Sequence, residues 1–164
     1  MLPRLSLLLV LLSLVALATA AIIPNAFFGL DQGASNAATI SECGSPDDIL
    51  RIEYIHITPD PPVKGEELTV DFKGYLKEQV EEGSMIDVTV KYGAIKLLHK
   101  QFDLCEQAQQ VNRTCPIEEG DFNLIHTVEL PKDIPPGKYT VLAKVFTEDV
   151  RQITCLNGVV IFRP

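Results

Sequence analysis

Four cysteines, Cys43, Cys105, Cys115 and Cys155, and three histidines, His56, His99 and His126, are the side chains best suited to nucleophilic attack or metal ligation. Their spacing suits neither. No C-x-x-C pair occurs and no histidine lies beside a cysteine pair, so a zinc site has no framework in the sequence. A hydrolase needs a nucleophile, a base and an orienting acid, and there is no G-x-S-x-G elbow to present a serine. The carboxylate pairs Glu66-Glu67, Glu81-Glu82 and Glu118-Glu119 stand beside glycines in turn-forming sequence, which reads as solvated charge rather than a glycosidase acid pair. Neither a phosphate-binding glycine loop nor a calcium loop is present. The chain reads as a non-enzyme without a metal or organic cofactor.

The cysteines gain a different meaning from the start of the chain. Residues 1–20 combine basic Arg4, an apolar run from Leu5 to Leu17 and an A-x-A ending at Ala20, the pattern of a secretory leader. Cysteines that reach an oxidising compartment are expected to form two disulfides, and three pairings are open; joining Cys105 to its neighbour Cys115 leaves Cys43 with Cys155. The sequon Asn112-Arg113-Thr114 falls inside the polar CEQAQQVNRTC stretch and makes Asn112 a glycosylation candidate. Loss of Arg4 with the leader moves the formal net charge from −8 to about −9. An acidic chain with no Lys/Arg block along its sequence is disfavoured on nucleic acid and on anionic membrane surfaces at neutral pH, and nucleic-acid binding is discarded.

The elements that must position any site are strands. At 164 residues, 46% of them hydrophobic, the chain is expected to build one core. Residues 21–38 read as a propeptide or flexible arm, and the domain proper as residues 39–164. Short alternating runs follow, separated by Pro, Gly and acidic turns, which predicts an all-β, immunoglobulin-like sandwich of about seven strands in two sheets. Leu50–Thr58 breaks its alternation near Tyr54 and calls for a bulge. Leu68, Val70 and Phe72 oppose Thr69, Asp71 and Lys73; Val88, Val90 and Tyr92 oppose Thr89 and Lys91. KEQVEEG reads as a polar turn, and no long helical period appears. The absence of Trp argues against an antibody-type domain.

Within that sandwich the sizes of inward residues carry information. Tyr139, Val141, Ala143 and Val145 share one strand face, and Leu156, Gly158 and Val160 another. Small residues at Ala143 and Gly158 either let the sheets approach or leave volume between them, and pattern alone is neutral between the two.

Taken in order, CGSPDD from Cys43, CPIEEGDF from Cys115, PPGKYTVLAKVF from Pro135 and LNGVVIF after Cys155 resemble the ML lipid-recognition family. That family includes secreted Niemann–Pick type C sterol-binding proteins and fungal phosphatidylglycerol/phosphatidylinositol transfer proteins. The resemblance runs from Cys43 to Phe162 and implies the pairings Cys43–Cys155 and Cys105–Cys115, with an apolar cavity between the sheets. It implies lipid transfer rather than catalysis: a monomer that touches a membrane transiently, takes up a sterol such as ergosterol or a phospholipid, and passes it to a Niemann–Pick C type membrane transporter. It places the protein in the secretory pathway, in the vacuole lumen or outside the cell. Carried over position by position, the lipid-binding residues are Leu68, Val70, Phe72, Val88, Val90, Tyr92, Val141, Ala143, Val145, Leu156, Gly158 and Val160, with Leu98 and Ile134 nearer the mouth. The chain departs from the animal sterol carriers in lacking a further cysteine pair and tryptophans near Val145 and Leu156, which implies a wider pocket. The competing expectation is a secreted immunoglobulin-like protein-recognition module with a filled core, which shares the leader, disulfides and sequon.

Overall fold

The computed structural model describes residues 38–164; the leader and all but the last residue of the arm lie outside the described residues. Among these there are eight strands and one short helix: β1 Thr39–Glu42, β2 Leu50–Thr58, β3 Glu67–Leu76, β4 Met85–Tyr92, β5 Ile95–Asp103, α1 Leu104–Gln109, β6 Gly120–Glu129, β7 Gly137–Phe146 and β8 Gln152–Phe162. They form two antiparallel sheets, one ordered β1-β8-β7-β4-β5 and the other β2-β3-β6. The two-sheet, all-β sandwich of about seven strands is borne out, with β1 as the strand that the alternation did not indicate. Its TISE sequence is short and its residues exposed, so it forms through backbone pairing with β8, Thr39 to Val159 through Glu42 to Leu156, rather than through an apolar pattern.

Alternation explains the remaining strands. In β2 the register shifts between Ile52 and Tyr54, so the bulge returns Ile55 and Ile57 to the face of Leu50 and Ile52. The β3–β6 ladder runs unbroken from Glu67–Glu129 to Leu76–Gly120, as an uninterrupted apolar/polar alternation requires. The one helix among the described residues is only six residues long, Leu104–Gln109, and has no long period to show in the sequence. Asp103 accepts a hydrogen bond from the Glu106 amide at 2.9 Å, capping a turn that Cys105–Cys115 then pins back to the chain.

Burial is concentrated at one end of the sandwich. Ile49, Leu76, Val80 and Ile153 form the buried core, with Leu50, Leu104, Ile117, Phe122 and Val145 packed around it. Val80 is 1% exposed although it belongs to KEQVEEG. That stretch is therefore not a polar turn throughout: the Val80 and Ile117 amides and carbonyls exchange hydrogen bonds at 2.8 and 2.9 Å, which carries Val80 inward.

Both disulfides form as the resemblance implies, Cys43–Cys155 and Cys105–Cys115. The CGSPDD segment also has a structural task at this end. Buried Asp48 accepts from the Ser45 amide and hydroxyl, both at 3.1 Å, and from Gln152 Nε2 at 2.9 Å. A buried carboxylate with three donors is satisfied, and here it ties the first loop to the start of β8.

Candidate functional site

Strand pairing assembles the sequence-predicted residues into cross-strand rows. On the larger sheet, Val88 pairs with Ala143 and Ala143 with Leu156; Val90 pairs with Val141 and Val141 with Gly158; Tyr92 pairs with Tyr139 and Tyr139 with Val160. Val145 lies in the row of Ile86, next to the core. On the smaller sheet, Phe72 pairs with Ile55 and Leu124, Val70 with Ile57 and His126, and Leu68 with Val128. The inward positions of β3, β4, β6, β7 and β8 carry no Asp, Glu, Lys or Arg, and His126 is their one imidazole.

Away from the core these two apolar faces do not close on each other. Phe72 is 8% exposed, whereas Val128 and Val141, also directed inward, are 38% and 37% exposed. The glycines report the same gradient. A Cβ on Gly74, near the core, would meet the Arg51 carbonyl at 2.8 Å and Leu50 Cδ1 at 3.0 Å; a Cβ on Gly158 would meet only the Val141 carbonyl oxygen at 3.9 Å. Gly158 is thus not required by a close approach, and a side chain there would enter open space.

Cavities border this space. One of about 100 Å³ adjoins the core at Leu76, Val80, Phe122 and Val145. A second, about 310 Å³, lies between β4, β6 and α1, against Ile86, Leu124, His126 and Ala108. A third, about 160 Å³, opens on the other flank between Ile40, Ile55 and Leu156. The sequence-derived set therefore omitted Ile86, Leu124 and His126 on one flank and Ile40 and Ile55 on the other. The alternation Phe122, Leu124, His126, Val128 was the available signal for β6.

Three predicted residues lie at the margins of these rows or beyond them. Leu98 pairs with Val90 but lies on edge strand β5 and is 43% exposed. Ile134 is half-buried in the β6–β7 loop, where the neighbouring Pro135 and Pro136 carbonyls accept from the Tyr139 and Tyr92 hydroxyls at 3.1 and 2.8 Å. Tyr92 is accordingly held in an aromatic cluster with Tyr139 and Phe162, ring centroids 5.2 and 5.6 Å apart in succession. Gly137, at φ 148°, leaves room for the Tyr92 ring, which would lie 2.4 Å from any Cβ there.

Reactive chemistry is not gathered in this space. Among the described residues no three His, Cys, Asp or Glu side chains cluster as metal ligands. The displaced titrations lie elsewhere. Lys73 is raised by its hydrogen bond and charge pairing with Glu53, at 2.6 Å. Asp149 is held below the usual 3.8, first by the Thr147 hydroxyl and then by Arg151. Arg151 is raised by Asp149 first and Glu78 next. What the geometry offers is an apolar slot between two sheets, bordered on the α1 side by Arg113, Gln107 and Gln110.

The ML domain family model matches residues 37–162. A phosphatidylglycerol/phosphatidylinositol transfer protein of Yarrowia lipolytica is 45% identical over 133 residues, 80% of this chain and 70% of that protein. One of Neurospora crassa is 47% identical over 116 residues, 71% of this chain and 66% of that protein. Among solved structures, a Niemann-Pick type C2 protein from Japanese carpenter ant superposes with TM-score 0.56 at 17% identity, covering 76% of this chain and 99% of that one. Chicken MD-1 complexed with lipid IVa gives 0.58 at 17% identity, covering 77% and 90%. The family model spans both disulfides and both apolar faces, the relatives extend along most of the described domain, and the solved structures share its sandwich: the chain belongs to the ML domain family.

Proposed function

We propose that this protein binds a lipid between its two sheets and transfers it between membranes. The observation that carries the reading is the open, uncharged interior: inward Val128 and Val141 remain more than a third exposed, and Gly158 faces empty space. An acyl chain or sterol body would cover these faces. Burying about 400 Å² of ligand apolar surface contributes roughly 10 kcal/mol gross, and association costs remove several of these, leaving a complex that can still release its cargo. Few polar groups face the slot, so selectivity rests on shape and on the headgroup. The names of the relatives favour phosphatidylglycerol and phosphatidylinositol as cargo, and a sterol such as ergosterol is the other candidate.

The remaining parts of the reading follow from the secretory leader and the family. The protein works as a monomer in the vacuole lumen or outside the cell, contacts membranes transiently, and passes lipid to a Niemann–Pick C type membrane transporter without an enzymatic step. Asn112, exposed in the turn after α1 at φ 57°, carries a glycan. A protein-recognition module with a filled core would bury Val128 and Val141, so their exposure counts against it. The test is transfer of labelled phosphatidylinositol, phosphatidylglycerol and ergosterol between donor and acceptor vesicles. Protein-dependent transfer of any of them is expected, and no transfer and no binding of all three would overturn the reading.

A further inference from the structure

The β4–β5 hairpin stands out by what it leaves uncovered. Among the described residues β5 is an edge strand paired only with β4, and Ile95 and Leu97 on it are 64% and 57% exposed. Leu97 is the extra residue where the register slips from Val90–Leu98 to Lys91–Lys96. An exposed apolar edge invites association, and edge lysines are a common guard against it. Guarding does not account for the arrangement here. Lys91 and Lys96 sit directly opposite each other, a like-charge pairing that destabilises a sheet, and neither has an ion-pair partner among the described residues.

Charge runs one way through the distal part of the hairpin. From Val88 to Phe102 there are Lys91, Lys96 and Lys100 and no Asp or Glu, in a chain of net charge −8; the acidic residues Asp87, 3.5 Å from His99, and Asp103 stand at its base. The sequence has no contiguous basic block, but hairpin pairing sets Lys91 beside Lys96 on one face, with Lys100 opposite Val88 on the other, and the Gly93 amide's bond to the Lys138 carbonyl at 2.9 Å brings a further lysine's strand alongside. An anionic surface would relieve the Lys91–Lys96 repulsion, while Ile95 and Leu97 would enter its apolar layer. Leu98 pairs with Val90 and thereby continues the row Val90–Val141–Gly158 out to the edge. The apolar path thus runs from the interior to the hairpin without a charged residue along that row.

We infer that the β4–β5 hairpin is the membrane-docking element, recognising bilayers rich in anionic phospholipid and aligning the slot with the lipid layer. This rests on the lipid-transfer reading for its purpose but is tested separately from it. The purified protein is sedimented with phosphatidylcholine vesicles with and without phosphatidylglycerol, beside the variants Lys91→Gln/Lys96→Gln and Ile95→Asn/Leu97→Asn. Binding of a short-chain phosphatidylglycerol kept monomeric in solution is measured in parallel, with circular dichroism to verify folding. The parent protein is expected to prefer anionic vesicles. The lysine variant should lose about fivefold in vesicle affinity per lysine, the apolar variant at least tenfold, and both should bind the monomeric lipid as the parent does. Vesicle binding unchanged in both folded variants, or absent in the parent, would overturn the inference. A parent that forms dimers dissociated by Ile95→Asn/Leu97→Asn, with vesicle binding unaffected, would overturn it in favour of a second copy on the edge. Vesicle binding that follows the prediction, with no uptake of monomeric lipid by any form, would sustain the hairpin and sink the lipid-transfer reading instead.

Discussion

Ala143 lies between Val88 and Leu156 in the middle of the larger sheet, one cross-strand row from Gly158, where an added side chain would meet open space. A phenyl ring placed there would occupy the slot. Ala143→Phe is expected to lower lipid uptake at least tenfold, as read by displacement of a fluorescent lipid. Its stability cost should stay below the roughly 1–3 kcal/mol typical of overpacking a filled core. Unchanged uptake, or loss of folding, would return Ala143 to ordinary core. The face on which Ala143 stands was legible from alternation alone. Whether that face was covered was not, because the distance between two sheets depends on every pair of facing residues and on the loops that hold the sheets apart.

At the scale of elements, strands with strong alternation appear in the sequence almost residue by residue: β4 occupies Met85–Tyr92, where Ile86, Val88, Val90 and Tyr92 oppose Asp87, Thr89 and Lys91. β1 and α1 were not legible in that way. β1 has no inward apolar period and owes its place to β8 and to Cys43, whose amide donates to the Cys155 carbonyl at 2.9 Å. The six-residue α1 is too short for a helical period, and its readable signal was the Asp103-to-Glu106 cap. The disulfide beside β1 joins residues 112 apart and the one beside α1 residues 10 apart. Chain entropy assigns them about 5 and about 3 kcal/mol respectively. Paired Cys→Ser variants in urea should therefore rank Cys43/Cys155 as the costlier loss, and the reverse order would contradict that account. The β7–β8 turn supplies a pH test. Asp149 is lowered by Thr147 and Arg151, so its stabilising contribution is present above the ordinary carboxylate value and is lost as pH falls through the lowered one. An NMR titration should place the Asp149 midpoint below 3.8, leaving this turn unaffected between neutral and mildly acidic pH; a midpoint at or above that value would contradict it.

For the whole molecule, packing and function divide along the strands. The end bearing Leu76, Val80 and Ile153 supplies the core, and the Cys43–Cys155 bridge fastens β1's end to β8. The Asp48 network reinforces that end, so the remaining length of both sheets is free to stay apart. A sandwich filled throughout would derive more stability from the same strands. Leaving its middle open is consistent with an occupant that comes and goes, and each bound ligand would stabilise the folded state by mass action. The most direct test is organic extraction of the purified protein, followed by mass spectrometry. A phospholipid or sterol close to one per chain is predicted; a lipid-free extract from protein that also takes up none on incubation with vesicles would contradict the account.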